Sequence, residues 1–199
     1  TSALGRTRAH TVAAEITLPA LGFTSLVVRP APLPVRRSGS LRTGPLRAEN
    51  GILTVQVMPN GTLHVTDQRS GQCYRDLLIF EDRSEIGDGW FHGHSVTDEI
   101  ALSAASPAHV SVLHDGPDAV TFRIAVVMNV PTHFDWAREC RSAERGTMEL
   151  ISRVTLRRGA DVIDVVTSLD NQIEDHRLRL LLPSDATRAT TYLAHHPYD

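Results

Sequence analysis

The fold is decided by residues 53–74, which read LTVQVMPNGTLHVTDQRSGQCY. Apolar and polar residues alternate on both sides of Asn60-Gly61, and a period of two is typical of β-strands with one buried face. Asn-Gly is a strong signal for a tight hairpin turn, and Ser70-Gly71 marks a second turn before Cys73. The stretch therefore predicts an antiparallel meander.

The same alternation continues through the second half of the chain. Apolar side chains fall on one face in four further stretches: Val120–Val126, Met148–Leu156, Ile163–Leu169 and Leu178–Leu182. No segment has a convincing helical period. Upstream, residues 16–18 and 23–29 predict two short strands. We therefore predict an all-β protein built as an antiparallel β-sandwich.

Composition excludes several classes of function. The 199 residues carry a net charge of −3 without runs of one sign, which argues against nucleic acid as a partner. No apolar stretch is long enough to cross a membrane, and no signal-peptide pattern is present. Cys73 and Cys140 predict two free thiols in a reducing cytoplasm, with one long-range disulfide as the alternative.

Two long irregular segments interrupt the predicted strands, Phe80–Ser95 and Pro131–Gly146. Loops of this length are uncommon in compact domains and are often functional. The first brings together Asp88 and Trp90 with further carboxylates and histidines. Carboxylates accept hydrogen bonds from sugar hydroxyls and aromatic rings cover apolar sugar faces, so the segment is a candidate sugar site. A solvated acidic loop is the alternative.

Metal binding is not predicted from the histidines. His92 and His94 alternate as two ligands on a strand would, and His133 and Asp135 have the same spacing. Neither pair has a third ligand at a recognisable distance along the sequence. We therefore expect surface side chains and no metal site in this chain.

A second polar cluster runs from Asp170 to Arg179 and contains Arg177. A charged row on a sheet is usually a solvated face. An Asp–Arg set that points into a cleft is the alternative interpretation.

Several of these motifs, in their order, resemble the C-terminal β-domain of glycoside hydrolase family 38, the α-mannosidases. The quoted pieces are Glu49–Leu53, Pro59–Leu63, Asp67–Gly71, Phe80–Asp82 with Gly87-Asp88, Asp170-Asn171, and Asp175–Arg179. Leu18–Phe23 is similar to a segment that closes a small β-module upstream. Bacterial relatives usually have Tyr where this chain has Trp90.

The resemblance implies a partial supersandwich of the galactose-mutarotase type. It predicts the end of a small β-module at 1–29, a proline-rich linker at 30–48 and the first part of the C-terminal sandwich at 49–199. The chain would be a fragment of a retaining α-mannosidase whose zinc ligands, nucleophile and general acid lie upstream. No catalytic residue is then expected here, and the His133-x-Asp135 pair has the wrong setting for that zinc motif.

The resemblance also implies substrate-binding roles for Asp88, Trp90 and Arg177 at the rim of the pocket. The expected partners are an α-mannoside and the upstream catalytic domain, with a homo-oligomer as a further possibility. Two alternatives stay open at this point: a stand-alone carbohydrate-binding β-sandwich and a sugar mutarotase, which needs a His and a carboxylate as acid and base.

Overall fold

The computed structural model describes residues 16–29, 38–191 and 193. Its strands are β1 Arg42–Gly44, β2 Arg47–Glu49, β3 Leu53–Val57, β4 Leu63–Asp67, β5 Cys73–Leu77, β6 Ile79–Ser84, β7 Ala101–Leu102, β8 Ala108–Asp115, β9 Ala119–Pro131, β10 Phe134–Asp135, β11 Cys140–Arg141, β12 Arg145–Arg157, β13 Ile163–Leu169 and β14 His176–Leu181. A single turn of 3-10 helix, Ser103–Ala105, is the helical element of the described residues. The predicted all-β class is confirmed.

The chain divides into two compact units, Thr1–Arg37 and Ser38–Asp199. In the first, residues 16–29 contain a turn in which Gly22 N donates a hydrogen bond to Pro19 O at 3.1 Å. They contain no strand, so the prediction of two strands here is wrong. No backbone hydrogen bond pairs residues 16–29 with another described segment, as a strand would require. The predicted linker residues 30–37 lie outside the described residues.

Residues 38–48, also assigned to the linker from sequence, are part of the second unit. They include β1 and β2, which pair in antiparallel fashion and lead into β3. Pro45 lies in the turn between β1 and β2, where its missing N–H costs no ladder bond. Ala48 is fully buried in the core, which explains why this segment belongs to the sheet.

Two antiparallel sheets enclose the core. One has the order β1-β2-β3-β4-β5 and the other β13-β12-β9-β8. Their buried side chains form one cluster that includes Val55, Val57, Leu63, Phe122, Ile124, Met128, Met148, Leu150 and Leu156. This arrangement confirms the sandwich predicted from the alternating pattern.

The Asn60-Gly61 turn closes against the second sheet. Gly61 has a φ of +85°, and a Cβ at this position would lie 3.0 Å from side-chain carbons of Ala108, Ile124 and Val126. Glycine is therefore required both by the backbone and by the space available.

A smaller sheet with the order β14-β6-β7 carries the functional loops. Its strand β6 corrects the prediction of an irregular segment from Phe80, because residues 79–84 pair in register with β14. The inner face of β6 buries Phe80, Asp82 and Ser84. Two polar residues on a buried face disguise the period of two, which explains the error.

The second predicted irregular segment is also shorter than expected. Strand β9 extends to Pro131, β12 begins at Arg145, and the short hairpin β10–β11 occupies part of the interval.

Candidate functional site

Glu85 holds the shape of residues 85–95, which we call the aromatic loop. Its Oε1 accepts hydrogen bonds from Gly87 N at 3.1 Å and Gly93 N at 2.6 Å. Its Oε2 lies 3.0 Å from Nδ1 of His92. A Cβ on Gly87 would lie 1.8 Å from the carbonyl oxygen of Phe91, so this close approach requires glycine. The loop is therefore closed on itself by one carboxylate.

Asp88 shapes the tip of the aromatic loop. Its Oδ1 accepts hydrogen bonds from the backbone N of Trp90 and of Phe91, both at 2.8 Å. These two N–H groups lower the pKa of the Asp88 carboxyl. The side chains of Trp90 and Phe91 project outward and are 88% and 76% exposed. Asp88 thus has one oxygen committed to the turn, and Trp90 presents its ring to the outside.

The aromatic loop should stay closed below the pH at which an ordinary glutamate becomes protonated. The Gly93 N–H is the main cause that lowers the pKa of Glu85. A carboxyl whose folded-state pKa is depressed stabilises the fold above its unfolded pKa, about 4.3. That contribution is lost as the pH falls through the folded value. An NMR titration of the Gly93 amide should give a midpoint below about 4.3, and Glu85→Gln should remove the inflection. A midpoint at or above the ordinary value would contradict this assignment.

Arg177 lies on the outer face of the small sheet, in register with Arg83 on β6. The neighbouring cations on this face are paired: Arg83 Nε donates to Asp98 Oδ2 at 3.0 Å, and Arg179 Nε donates to Glu81 Oε1 at 3.0 Å. Arg177 is half-buried and makes no hydrogen bond or ion pair with any residue in the described ranges. Its guanidinium is thus available to a ligand.

The structure brings Arg177 and the aromatic loop to the same end of the β6–β14 pair. Ser84, the last residue of β6, lies opposite His176, and Glu85 N donates to Asp175 O at 2.9 Å. Asp88 and Trp90 follow within the loop. The three predicted site residues therefore lie towards the same end of the β6–β14 pair, and no hydrogen bond joins Arg177 to the other two in the described residues.

Beneath this edge lies a buried network of charged side chains. Asp82 Oδ2 is 2.6 Å from Arg141 Nη1, and Asp82 Oδ1 contacts His176 Nδ1. His176 Nε2 is 3.0 Å from Asn171 Oδ1. The side chains of Asp82 and Arg141 are 0% and 2% exposed. The strand that carries Arg177 is thus supported by Asp82, Asn171 and His176. All three belong to the motifs that resemble glycoside hydrolase family 38.

The sequence analysis did not predict the groove that lies between the aromatic loop and the β10–β11 hairpin. Ser95 Oγ and Thr97 Oγ1 donate hydrogen bonds to Glu139 O at 3.3 and 3.2 Å, which joins the aromatic loop to the β10–β11 hairpin. The groove has a volume of about 310 Å³ and includes Trp136 in its lining. The Phe-Asp-Trp sequence at 134–136 was the available signal, but His133 and Asp135 were interpreted as surface side chains of a loop.

Metal-ligating residues do not gather in the described part of the chain. No group of three His, Cys, Asp or Glu residues there could hold an ion. His92 pairs with Glu85, and the described segments give His94 no hydrogen bond or ion pair. Cys73 and Cys140 are both free. Within residues 16–29, 38–191 and 193, no helix has the length and apolar character of a membrane span.

The fold and the loops define an antiparallel β-sandwich with an exposed aromatic edge. No family model matches the chain. It is 28% identical over 158 residues to a protein of Halalkalibacterium halodurans named "Putative mannosylglycerate hydrolase", in a match that covers 72% of this chain and 18% of that protein.

Two solved structures from Enterococcus faecalis share the fold with a TM-score of 0.71 each. One is a protein in glycosyl hydrolase family 38, with 25% identity over 74% of this chain and 19% of its own. The other is an α-mannosidase of strain V583, with 24% identity and 18% of its own chain covered. The chain spans about a fifth of the length of these proteins. The predicted resemblance to a segment of glycoside hydrolase family 38 proteins is confirmed.

Proposed function

We propose that this chain is a non-catalytic β-sandwich segment of a glycoside hydrolase that removes terminal α-mannosyl groups. The observation that supports this most is the 28% identity over 158 residues to the Halalkalibacterium halodurans protein named "Putative mannosylglycerate hydrolase". The similar fold of the family 38 protein supports the same assignment. The substrate class is an α-mannoside, and the main partner is a catalytic domain of the same longer protein.

In this proposal, Asp88, Trp90 and Arg177 form part of the rim of the substrate pocket. Arg177 has a guanidinium without a described partner, and its planar fork suits sugar hydroxyls or a carboxylate such as that of glycerate. Trp90 presents an exposed ring that can cover an apolar sugar face. Asp88 holds the loop that positions this ring.

The chemistry itself is assigned to residues outside this chain. A retaining glycosidase needs one carboxylate as nucleophile and another as acid and base, about 5–5.5 Å apart. The zinc that the resemblance implies does not fit the described residues, because they offer no set of three ligands. We therefore assign zinc and both catalytic carboxylates to the catalytic domain.

Three further observations agree with the proposed partners and compartment. The exposed Trp90 and Phe91 suit an interface with the catalytic domain, and the edge strand β13 exposes Val165 and Val166, which could also support a homo-oligomer. Two free thiols suit the cytoplasm.

A mutarotase is less favoured than a hydrolase segment. The described residues contain three histidine–carboxylate ion pairs: His176–Asp82 is buried, His92–Glu85 lies on the aromatic loop, and His64–Asp76 is a looser contact of 3.5 Å between β4 and β5. The Glu85 carboxylate is already occupied by two backbone N–H groups and the imidazole. A stand-alone sugar-binding sandwich differs from our proposal in having no catalytic partner.

The purified 199-residue chain should not hydrolyse an aryl α-mannoside or mannosylglycerate, whereas the longer protein that contains it should hydrolyse at least one of them. A chelator should abolish the activity of the longer protein because zinc supplies part of the catalytic site. Initial rates with both substrates, with and without chelator, test this. Turnover that follows the purified 199-residue chain and survives the chelator would contradict it. Interconversion of sugar anomers by that chain would favour the mutarotase.

A further inference from the structure

The groove between the aromatic loop and the β10–β11 hairpin has features of a second sugar site. One wall is Trp136, whose side chain is 62% exposed although its neighbour Phe134 is buried. The two rings meet edge to face, with centroids 5.0 Å apart and an angle of 74° between their planes. Phe134 is itself fixed, since its backbone N donates to Asp175 Oδ2 at 3.2 Å. Trp136 is therefore a ring that rests against a buried phenylalanine and is open to solvent.

Polar groups without partners accompany this ring. Glu139 and His94 both line the groove. In the described ranges, neither the Glu139 carboxylate nor the His94 imidazole makes a hydrogen bond or an ion pair. The Glu139 backbone accepts the hydrogen bonds from Ser95 and Thr97 that hold the two loops together, so its position is fixed. One carboxylate and one imidazole are thus available beside an exposed aromatic face.

We propose that this groove binds a saccharide unit, with the Trp136 ring against an apolar sugar face and Glu139 accepting hydrogen bonds from its hydroxyls. A pyranose has an apolar C–H face and a ring of hydroxyls, which matches an aromatic wall beside unpaired polar groups. The volume of about 310 Å³ suits a small ligand. The rim residues Asp88, Trp90 and Arg177 do not line this groove. This inference rests on the proposed function in one respect, the choice of an α-mannoside as the sugar to be tested.

Trp90 and Trp136 are the two tryptophans of the chain, so two indole N–H signals report the rim and the groove separately. Trp90→Phe and Trp136→Phe assign these signals in an NMR spectrum of the ¹⁵N-labelled 199-residue chain. Methyl α-mannopyranoside is then titrated into the high millimolar range, with glycerol as a control polyol. The Trp136 signal should shift saturably with the mannoside and not with glycerol.

Two variants distinguish specific binding of the mannoside from a general effect of the added sugar on the Trp136 signal. Glu139→Ala should weaken the binding seen at Trp136 about fivefold, the scale of one lost hydrogen bond, while Trp90→Phe should leave it unchanged. A Trp136 signal that does not move saturably, or that responds equally in Glu139→Ala, would overturn the proposal. A saturable shift of Trp90 alone would also overturn it, yet would support the rim and thus the proposed function.

Discussion

Replacing Asp82 by Ala should lower the free energy of unfolding by about 3–5 kcal/mol, because it leaves the Arg141 guanidinium buried without its carboxylate. The two side chains are almost completely excluded from solvent and their charged atoms lie 2.6 Å apart. His176 loses its carboxylate partner in the same step and keeps, among the described residues, only Asn171. For a domain of this size, the melting temperature should fall by about 6–20 °C. Thermal and denaturant unfolding of the 199-residue chain measure both quantities.

Glu81→Ala is the matched control for this experiment. Glu81 is the preceding residue of β6, points to the opposite face and pairs with the partly exposed Arg179. Its loss should cost less than the loss of Asp82, because the Arg179 side chain is 37% exposed and its charge stays in contact with water. Removing Arg141 together with Asp82 should cost less than the sum of the single changes, because no buried charge then remains between them. Equal effects of Asp82→Ala and Glu81→Ala would show that the buried network does not stabilise the fold.

The strands could be predicted from the sequence because their side chains alternate cleanly. In β12, Met148, Leu150, Val154 and Leu156 are all buried on one face, as the pattern indicated. The turns were predictable for a related reason, since Gly61 needs a positive φ that few other residues adopt. Local chemistry therefore determined the elements of the sandwich.

The buried network could not be predicted in the same way. Asp82, Arg141 and His176 are far apart in the sequence, and nothing in their spacing shows that they meet. Arg141 lies in a segment that was predicted as a loop, where an arginine is usually solvated. Trp136 was missed for a similar reason, because its groove exists only when two distant loops pack together. Long-range packing, which a local pattern does not encode, determined both features.

Replacing Arg177 by Ala in the longer hydrolase that we propose should lower kcat/KM about tenfold to a hundredfold without changing the melting temperature. The size follows from about 1.5–3 kcal/mol for a hydrogen bond to a charged group, if Arg177 contacts the substrate in the transition state. The free energy of unfolding should not change, because no described carboxylate pairs with the Arg177 guanidinium. Removing Arg177 therefore leaves no carboxylate unpaired. Arg177 lies opposite Arg83 in the β6–β14 pair, so the change also removes a like charge from beside that residue.

Arg179→Ala separates a specific contact from a general loss of positive charge. Arg179 lies two residues further along the same face but is occupied by Glu81, so its removal should change kcat/KM by less than about twofold, the scale of a weak exposed interaction. Arg177→Lys should recover only part of the activity, because an ammonium group keeps the charge but loses the planar fork. Steady-state kinetics of the three variants, each beside a thermal melt, provide the measurement. If Arg177→Ala keeps full activity with an unchanged melt, Arg177 is an ordinary solvated residue. If its melt falls as far as that of Asp82→Ala, Arg177 supports the fold and does not belong to the substrate site.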